Sequence, residues 1–235
     1  MKIKDAVVFV TGTNRGIGLA FAREALAMSA AKVYAGMRST EGFDEPGLVP
    51  VRIDVTDAAS VVAAVAQCGD VTLLVNNAGI AEVVSDALDP SIEAATRRIM
   101  EVNCYGLVRT TQAFAPVLAA SAASAILNVL SIVSWKNSPF LTPYAVSKAA
   151  AWSYTNHARL ALEAQNTVVV GLHVGFVDTD LTAAVDQPKS QPRDVARRSY
   201  DALEAGEREV LADEGTVAFK ATLSSARPGY LYPDA

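Results

Sequence analysis

The chain has 235 residues, 51% of them apolar and 19% charged, with a formal net charge of −5. That length suits one α/β domain over residues 1–235 better than two small ones, and the apolar half is enough for a large buried core. A negative chain without a basic run argues against nucleic acid or an anionic membrane as partner, and no apolar run reaches the ~20 residues of a membrane-crossing helix. No signal-like segment with a cleavage site follows Met1. Cys68 and Cys104 lack ligand-like spacing and read as free thiols of a reducing compartment, so a cytoplasmic protein without a metal site is expected.

Along the chain, short β-branched runs alternate with longer Ala-rich segments, the pattern of a parallel sheet with helices on both faces. Ala6–Val10 reads as the first strand, followed by a glycine turn and an apolar-periodic helix from about Gly16 to Met28. Lys32–Met37 is a second strand and Val49–Val55 a third. Asp57–Gln67 is a helix capped at Thr56 or Asp57, and Val71–Asn76 a fourth strand. Ser91–Ala122 holds two helices broken near Asn103, with Pro116 near the end of the second. Ala125–Ser131 is a fifth strand, Pro143 opens a helix that runs to about Glu163, and Val168–Val174 is a sixth strand. Pro192 opens a further helix, and Glu209–Ala212 is a seventh strand. The expected architecture is a doubly wound parallel sheet of about seven strands. A lid is expected over about 180–191 and a variable tail over about 213–235.

Between the first strand and first helix lies Thr11-Gly12-Thr13-Asn14-Arg15-Gly16-Ile17-Gly18. Gly12 lets the chain turn sharply off the strand, and Gly16 brings backbone close to a pyrophosphate at the helix N-terminus, where free N–H groups favour an anion. Gly18 lets the helix lie close on the sheet. The spacing is G-x-x-x-G-x-G. With Asn76-Asn77-Ala78-Gly79 after the fourth strand and Tyr144-Ala145-Val146-Ser147-Lys148 later, it resembles the short-chain dehydrogenase/reductase family, over roughly Val7 to Ala212.

The resemblance implies a Rossmann-type fold and an NAD(P)-dependent oxidoreductase that moves a hydride between nicotinamide and a carbonyl or secondary alcohol. In NAD users of the family an acidic residue ends the second strand. Here Met37 stands there and Arg38 follows, with Arg15 a second cation, so NADP(H) is expected over NAD(H). Asp54 and Val55 would meet the adenine, and Asn77, Ala78 and Gly79 the ribose. Gly175, Val177 and Thr179 would sit at the nicotinamide, with Thr179 on the carboxamide. Val174 replaces the usual proline before Gly175, which implies a looser turn.

For the chemistry, Tyr144 and Lys148 are four apart and share one helix face. Ser131, thirteen residues before Tyr144, and Asn103 complete the family's set. A phenol titrates near ~10, and the Lys148 ammonium, with the cofactor's own positive ring when oxidised, should lower that value so that Tyr144 serves as acid/base. Ser131 would hydrogen-bond the reacting oxygen. Lys148 would also hold the nicotinamide ribose, and the Asn103 amide would carry a water towards Lys148. His157 and His173 are assigned no role.

Trp135, Phe140 and Leu141 either border the reactive centre, which suits a small apolar carbonyl or alcohol, or merely cover sheet edge; both readings stay open. The C-terminal part lacks the Thr-Gly and Asp-Gly-Gly elements with which many relatives build tetramers. A homodimer through the Asn103–Ala122 and Tyr144–Glu163 helices and a monomer both stay open. Among rivals, an epimerase or dehydratase of the superfamily needs a larger C-terminal domain than this chain has room for. A catalytically silent NADP-binding redox sensor would usually lack the tyrosine or lysine.

Overall fold

The computed structural model describes residues 1–232, and its seven strands are all parallel in one sheet. They are β1 (Val7–Thr11), β2 (Lys32–Met37), β3 (Leu48–Arg52), β4 (Leu73–Asn76), β5 (Ser124–Val129), β6 (Thr167–His173) and β7 (Glu209–Leu211). Their spatial order is β3-β2-β1-β4-β5-β6-β7, so the winding reverses between β1 and β4 and leaves a crevice at the carboxyl ends there. The helices are α1 (Gly16–Ala27), α2 (Ala58–Gln67), α3 (Ile92–Met100), α4 (Leu107–Ala119), α5 (Thr142–Ala161), α6 (Pro192–Ala205) and α7 (Glu214–Thr222).

Two apolar layers hold the helices to the sheet. In β1, Val8 and Val10 enter the layer beneath α1 and α6, while Phe9 enters the layer beneath α2, α4 and α5. A strand buried on both faces must be apolar throughout, which is why β1 reads as an unbroken run. Phe21 of α1 meets Tyr200 of α6 edge-on at 5.3 Å, and Phe9 meets Phe114 of α4 at 4.8 Å.

A polar belt crosses the second layer. Thr110 donates to Asn76 Oδ1 (2.7 Å), Asn76 Nδ2 donates to Thr111 Oγ1 (3.0 Å) and Asn128 Oδ1 (2.9 Å), and Asn128 Nδ2 donates to Thr155 Oγ1 (2.9 Å). It ties α4, β4, β5 and α5 together with the polar atoms of these buried side chains paired, as burial demands. On the first face the buried Glu24 carboxylate is closed off by Arg193 (3.2 Å) and Arg197 (3.5 Å) of α6.

The structure differs from the sequence reading at several ends. β3 ends at Arg52 with a last ladder bond from Ile53 N to Met37 O (2.8 Å), after which Asp54 N turns to the Ser60 hydroxyl (2.9 Å) and the chain leaves the sheet. β5 stops at Val129, so Ser131 lies beyond the strand, capping a short 3₁₀ turn at Ile132–Ser134. The break between α3 and α4 is a π-helical stretch, Glu101–Gly106, centred near Asn103. The expected variable tail begins as the helix α7, capped by Asp213, whose carboxylate accepts from Thr216 N (2.8 Å) and Gly175 N (2.8 Å). Residues 233–235 of that tail lie outside the described residues. The expected lid is looped out from a stem in which Ser190 N donates to Phe176 O and Asp178 N to Ser190 O, each at 2.9 Å.

Candidate active site

The turn after β1 is shaped by its own glycines and by the turn after β4. Gly12 has φ +71° and Gly16 φ +60°, backbone regions that side chains disfavour. A Cβ at Gly18 would lie 2.2 Å from Gly12 O, so α1 could not approach the turn with any larger residue there. Asn77 Nδ2 donates to Thr11 O (2.9 Å) and Gly12 O (3.2 Å), while Thr11 Oγ1 accepts from Asn77 N and Ala78 N, both at 3.0 Å. The two turns are thus one rigid unit. Arg15, the N-cap of α1, makes no side-chain cap bond, so the first-turn N–H groups remain open to an anion.

Beside this unit lies a cleft of about 300 Å³. Gly12, Asn14, Arg15, Gly16 and Ile17 line one wall, and Arg38, Asp54 and Val55 the end by β2. Asn77, Ala78, Gly79 and Thr179 line the middle, with Tyr144 and Lys148 at the other end. Asp54 Oδ1 accepts from Thr56 N (2.9 Å) and Thr56 Oγ1 (2.7 Å); these bonds, and then nearby Arg38, hold its carboxyl below the usual range. Arg15 is paired with Asp180 at 3.1 Å, both side chains being exposed. Asp180 and Leu181, absent from the sequence-derived cofactor set, also line the cleft; isolated in the sequence, they gave no signal beyond lying in the lid.

Gly18, Gly175 and Val177 do not line it. Gly18 is spent on packing. Gly175 turns its N–H to Asp213, and Val177 is buried in the layer beneath α1 and α6, its carbonyl accepting from Thr182. Asp213, with no neighbouring motif, was invisible to the sequence reading.

At the chemical end Lys148 is buried and its Nζ donates to Val129 O at 2.7 Å, 5.6 Å from the Tyr144 ring centroid. Burial pushes the Lys148 ammonium down to about 8. Tyr144 keeps some exposure along the cleft, but its hydroxyl is crowded by protein and is pushed up to about 12, offset only in part by the Ser131 hydroxyl. The expected lowering by Lys148 is therefore reversed in the protein alone: desolvation outweighs an ammonium that faces a carbonyl. Ser131, buried, donates to Val174 O and accepts from Val133 N, both at 3.3 Å.

Asn103 is engaged by protein through both ends of its amide. Its Oδ1 accepts from Ile80 N (2.8 Å) and its Nδ2 donates to Ile80 O (2.9 Å) and Ser147 Oγ (3.0 Å). Both amide protons are used, so the side chain clamps the loop after β4 to the π stretch and α5, and only the second lone pair of Oδ1 is left to take a water. Of the two readings of Trp135, the structure favours the one in which it does not border the cleft. It is buried against His173 and Trp152 and does not reach the cleft, whereas Phe140 and Leu181 are 58% exposed beside it or on the lid. His157 is exposed on α5, its Nδ1 on Ser153 O. Among the described residues no group of His, Cys, Asp or Glu could hold a metal, and Cys68 and Cys104 are free and buried.

The family model for short chain dehydrogenases matches residues 6–190. A solved short chain dehydrogenase from Burkholderia cenocepacia, in complex with NADP, is 35% identical with a TM-score of 0.91, covering 97% of this chain and 96% of its own. Galactitol 2-dehydrogenase of Agrobacterium fabrum is 32% identical over 79% of this chain and 76% of its own length. A Schizosaccharomyces pombe NADPH-dependent 1-acyldihydroxyacetone phosphate reductase is 34% identical over 75% of this chain and 62% of its own. With one family matched over most of its length and a fold this close to a solved member, the chain belongs to the short chain dehydrogenases, oxidoreductases that act on alcohol and carbonyl groups.

Proposed function

We propose that the chain is an NADP(H)-dependent reductase of small apolar aldehydes and ketones, with Tyr144 as general acid. The observation that carries this is the cleft itself: an open helix N-terminus beside the glycine turn, the Arg15 and Arg38 side chains on its lining, and Tyr144 and Lys148 at the other end, with the buried Ser131 hydroxyl next to that of Tyr144. These residues fit a phosphorylated dinucleotide. Gly12, Asn14, Gly16 and Ile17 would hold the pyrophosphate, Arg38 and Arg15 the 2′-phosphate, and Asp54 and Val55 the adenine. Asn77, Ala78, Gly79, Lys148 and Thr179 would hold the nicotinamide half. Gly18 supports that wall by packing, and Gly175 and Val177 by shaping the segment that carries Thr179. No carboxylate ends β2, where Met37 is followed by Arg38, and the solved relative cited above was crystallised with NADP.

When bound, the nicotinamide supplies or takes the hydride. The protein's part is the proton. A phenol pushed up to about 12 is fully protonated at neutral pH, so Tyr144 is poised to protonate the carbonyl oxygen in reduction. Ser131 would donate to the same oxygen, and the buried Lys148 would orient the ribose. Asn103 keeps this end of the cleft rigid through Ser147 and Ile80.

Ile80, Val102 and Leu181 on the lining support an apolar substrate. One continuous sheet supports a single working unit over residues 1–235, its lid about 180–191, and the free buried thiols support a cytoplasmic setting. The silent-sensor reading gains nothing, since the tyrosine and lysine it would lack both face the cleft. NADPH oxidation, followed by absorbance against a panel of aldehydes and ketones, tests the proposal. Tyr144→Phe should lower kcat by at least about 10²-fold while NADPH binding holds. An active Phe variant, or no turnover of any compound by the parent, overturns it.

A further inference from the structure

Ser131 is loosely held through its hydroxyl, both of whose bonds are long at 3.3 Å. Its peptide is held more firmly. Leu130 N donates to Leu172 O (2.7 Å) and Ile132 N to Val174 O (3.0 Å), while the Ser131 carbonyl accepts from Ser134 N (3.0 Å). That same carbonyl lies 3.1 Å from Nδ1 of His173, a fully buried residue at the end of β6. A carbonyl only accepts, so Nδ1 carries the proton. The imidazole lies flat on the Trp135 indole at 3.8 Å and 22°, and Trp135 meets Trp152 at right angles. A ring stacked on one face and bonded at Nδ1 has one orientation.

We propose that His173 is a positioning residue: its Nδ1–H holds the Ser131 peptide so that the serine hydroxyl stays turned towards Tyr144, although the imidazole does not line the cleft. The inference rests on the proposed role of Ser131. It needs a neutral ring, and the surroundings keep it so. Burial, with Lys220 of α7 and Arg159 and Lys148 of α5 facing the ring, pushes His173 down to about 4. Glu209 of β7 lies 3.7 Å from Nε2 but is engaged by Lys220. Nε2 has no hydrogen-bond partner among the described residues, so the ring is anchored through Nδ1 and the face stacked on Trp135.

Ser131 partly offsets the upward shift of Tyr144 by a hydrogen bond, and the charged group beside the phenol ring is Lys148, 5.6 Å from its centroid. Displacing Ser131 should therefore both slow the chemistry and raise the pH at which Tyr144 loses its proton. The test compares His173→Asn, whose amide N–H reaches the place of Nδ1, with His173→Gln, whose amide reaches that of Nε2. Each is made in the parent and in Ser131→Ala, using the full chain and the best substrate of the panel in both directions. His173→Gln should lower kcat about 10- to 100-fold, leave the Kd for NADPH unchanged, and move the basic limb of alcohol oxidation to higher pH. His173→Asn should keep most of kcat and the parental profile. In the Ser131→Ala background His173→Gln should cost less than about twofold more, because the two act through one group.

Equal loss from His173→Gln in both backgrounds, loss in Asn and Gln alike, or weakened NADPH binding would show a merely structural residue and overturn the inference. Full activity of His173→Gln overturns it too, and leaves the proposed function standing. If Ser131→Ala keeps parental kcat and profile, the role of Ser131 falls and this inference falls with it.

Discussion

Arg15 has two claims on its guanidinium. In the structure it pairs with Asp180, and in the proposed complex it would pair with a 2′-phosphate. Both side chains of the existing pair are exposed, so the pair is weak and screened by salt. Asp180→Asn should free Arg15 and tighten NADPH about two- to threefold, with NADH affinity unchanged; calorimetric titration of both cofactors reads this, and equal shifts for the two would refute it. The glycine turn and the Tyr144/Lys148 pair were legible because they lie close together in the sequence and keep a fixed spacing. The direction of the Tyr144 shift was not. It depends on desolvation and on where Lys148 points, and Lys148 is drawn to Val129 O by the end of β5, nineteen residues away. Trp135 stayed open between two readings for a similar reason: an aromatic residue in a loop at the sheet edge gives no sign of which way it faces.

At the scale of elements, strand order and helix positions were legible because a two-sided parallel sheet imposes continuous apolar runs separated by amphipathic segments. The ends were less so, since side-chain and loop hydrogen bonds decide them, as Asp54 shows by giving its N–H to the Ser60 hydroxyl instead of to the sheet. The π stretch was visible only as a break near Asn103. In it α3 turns towards α5 and α4 towards α2 and the sheet, and the Asn103 amide is delivered to Ile80 and Ser147. The polar belt carries a prediction of its own. Asn128 is fully buried and bonded on both sides, so Asn128→Ala should cost about 1–3 kcal/mol in urea unfolding by stranding Asn76 and Thr155. A loss under about 0.5 kcal/mol would mean that the belt is idle.

For the molecule as a whole, winding order and the position of the cleft follow from the alternation of strands and helices, whereas self-association does not. Val146 and Leu160 on α5 are exposed, Leu160 by 72%, next to the faces proposed for a homodimer. A dimer through that face requires twice the chain mass in light scattering and the monomer for Val146→Glu with Leu160→Glu; a parent of single mass would remove the dimer. The two outer strands favour that route over its obvious competitor. β3 contains Pro50, which has no N–H to offer, and β7 is three residues long with Glu209 charged and paired to Lys220. Neither border can template another strand. Copies of this protein are thereby steered away from sideways growth into fibrils, and any assembly is left to its helices.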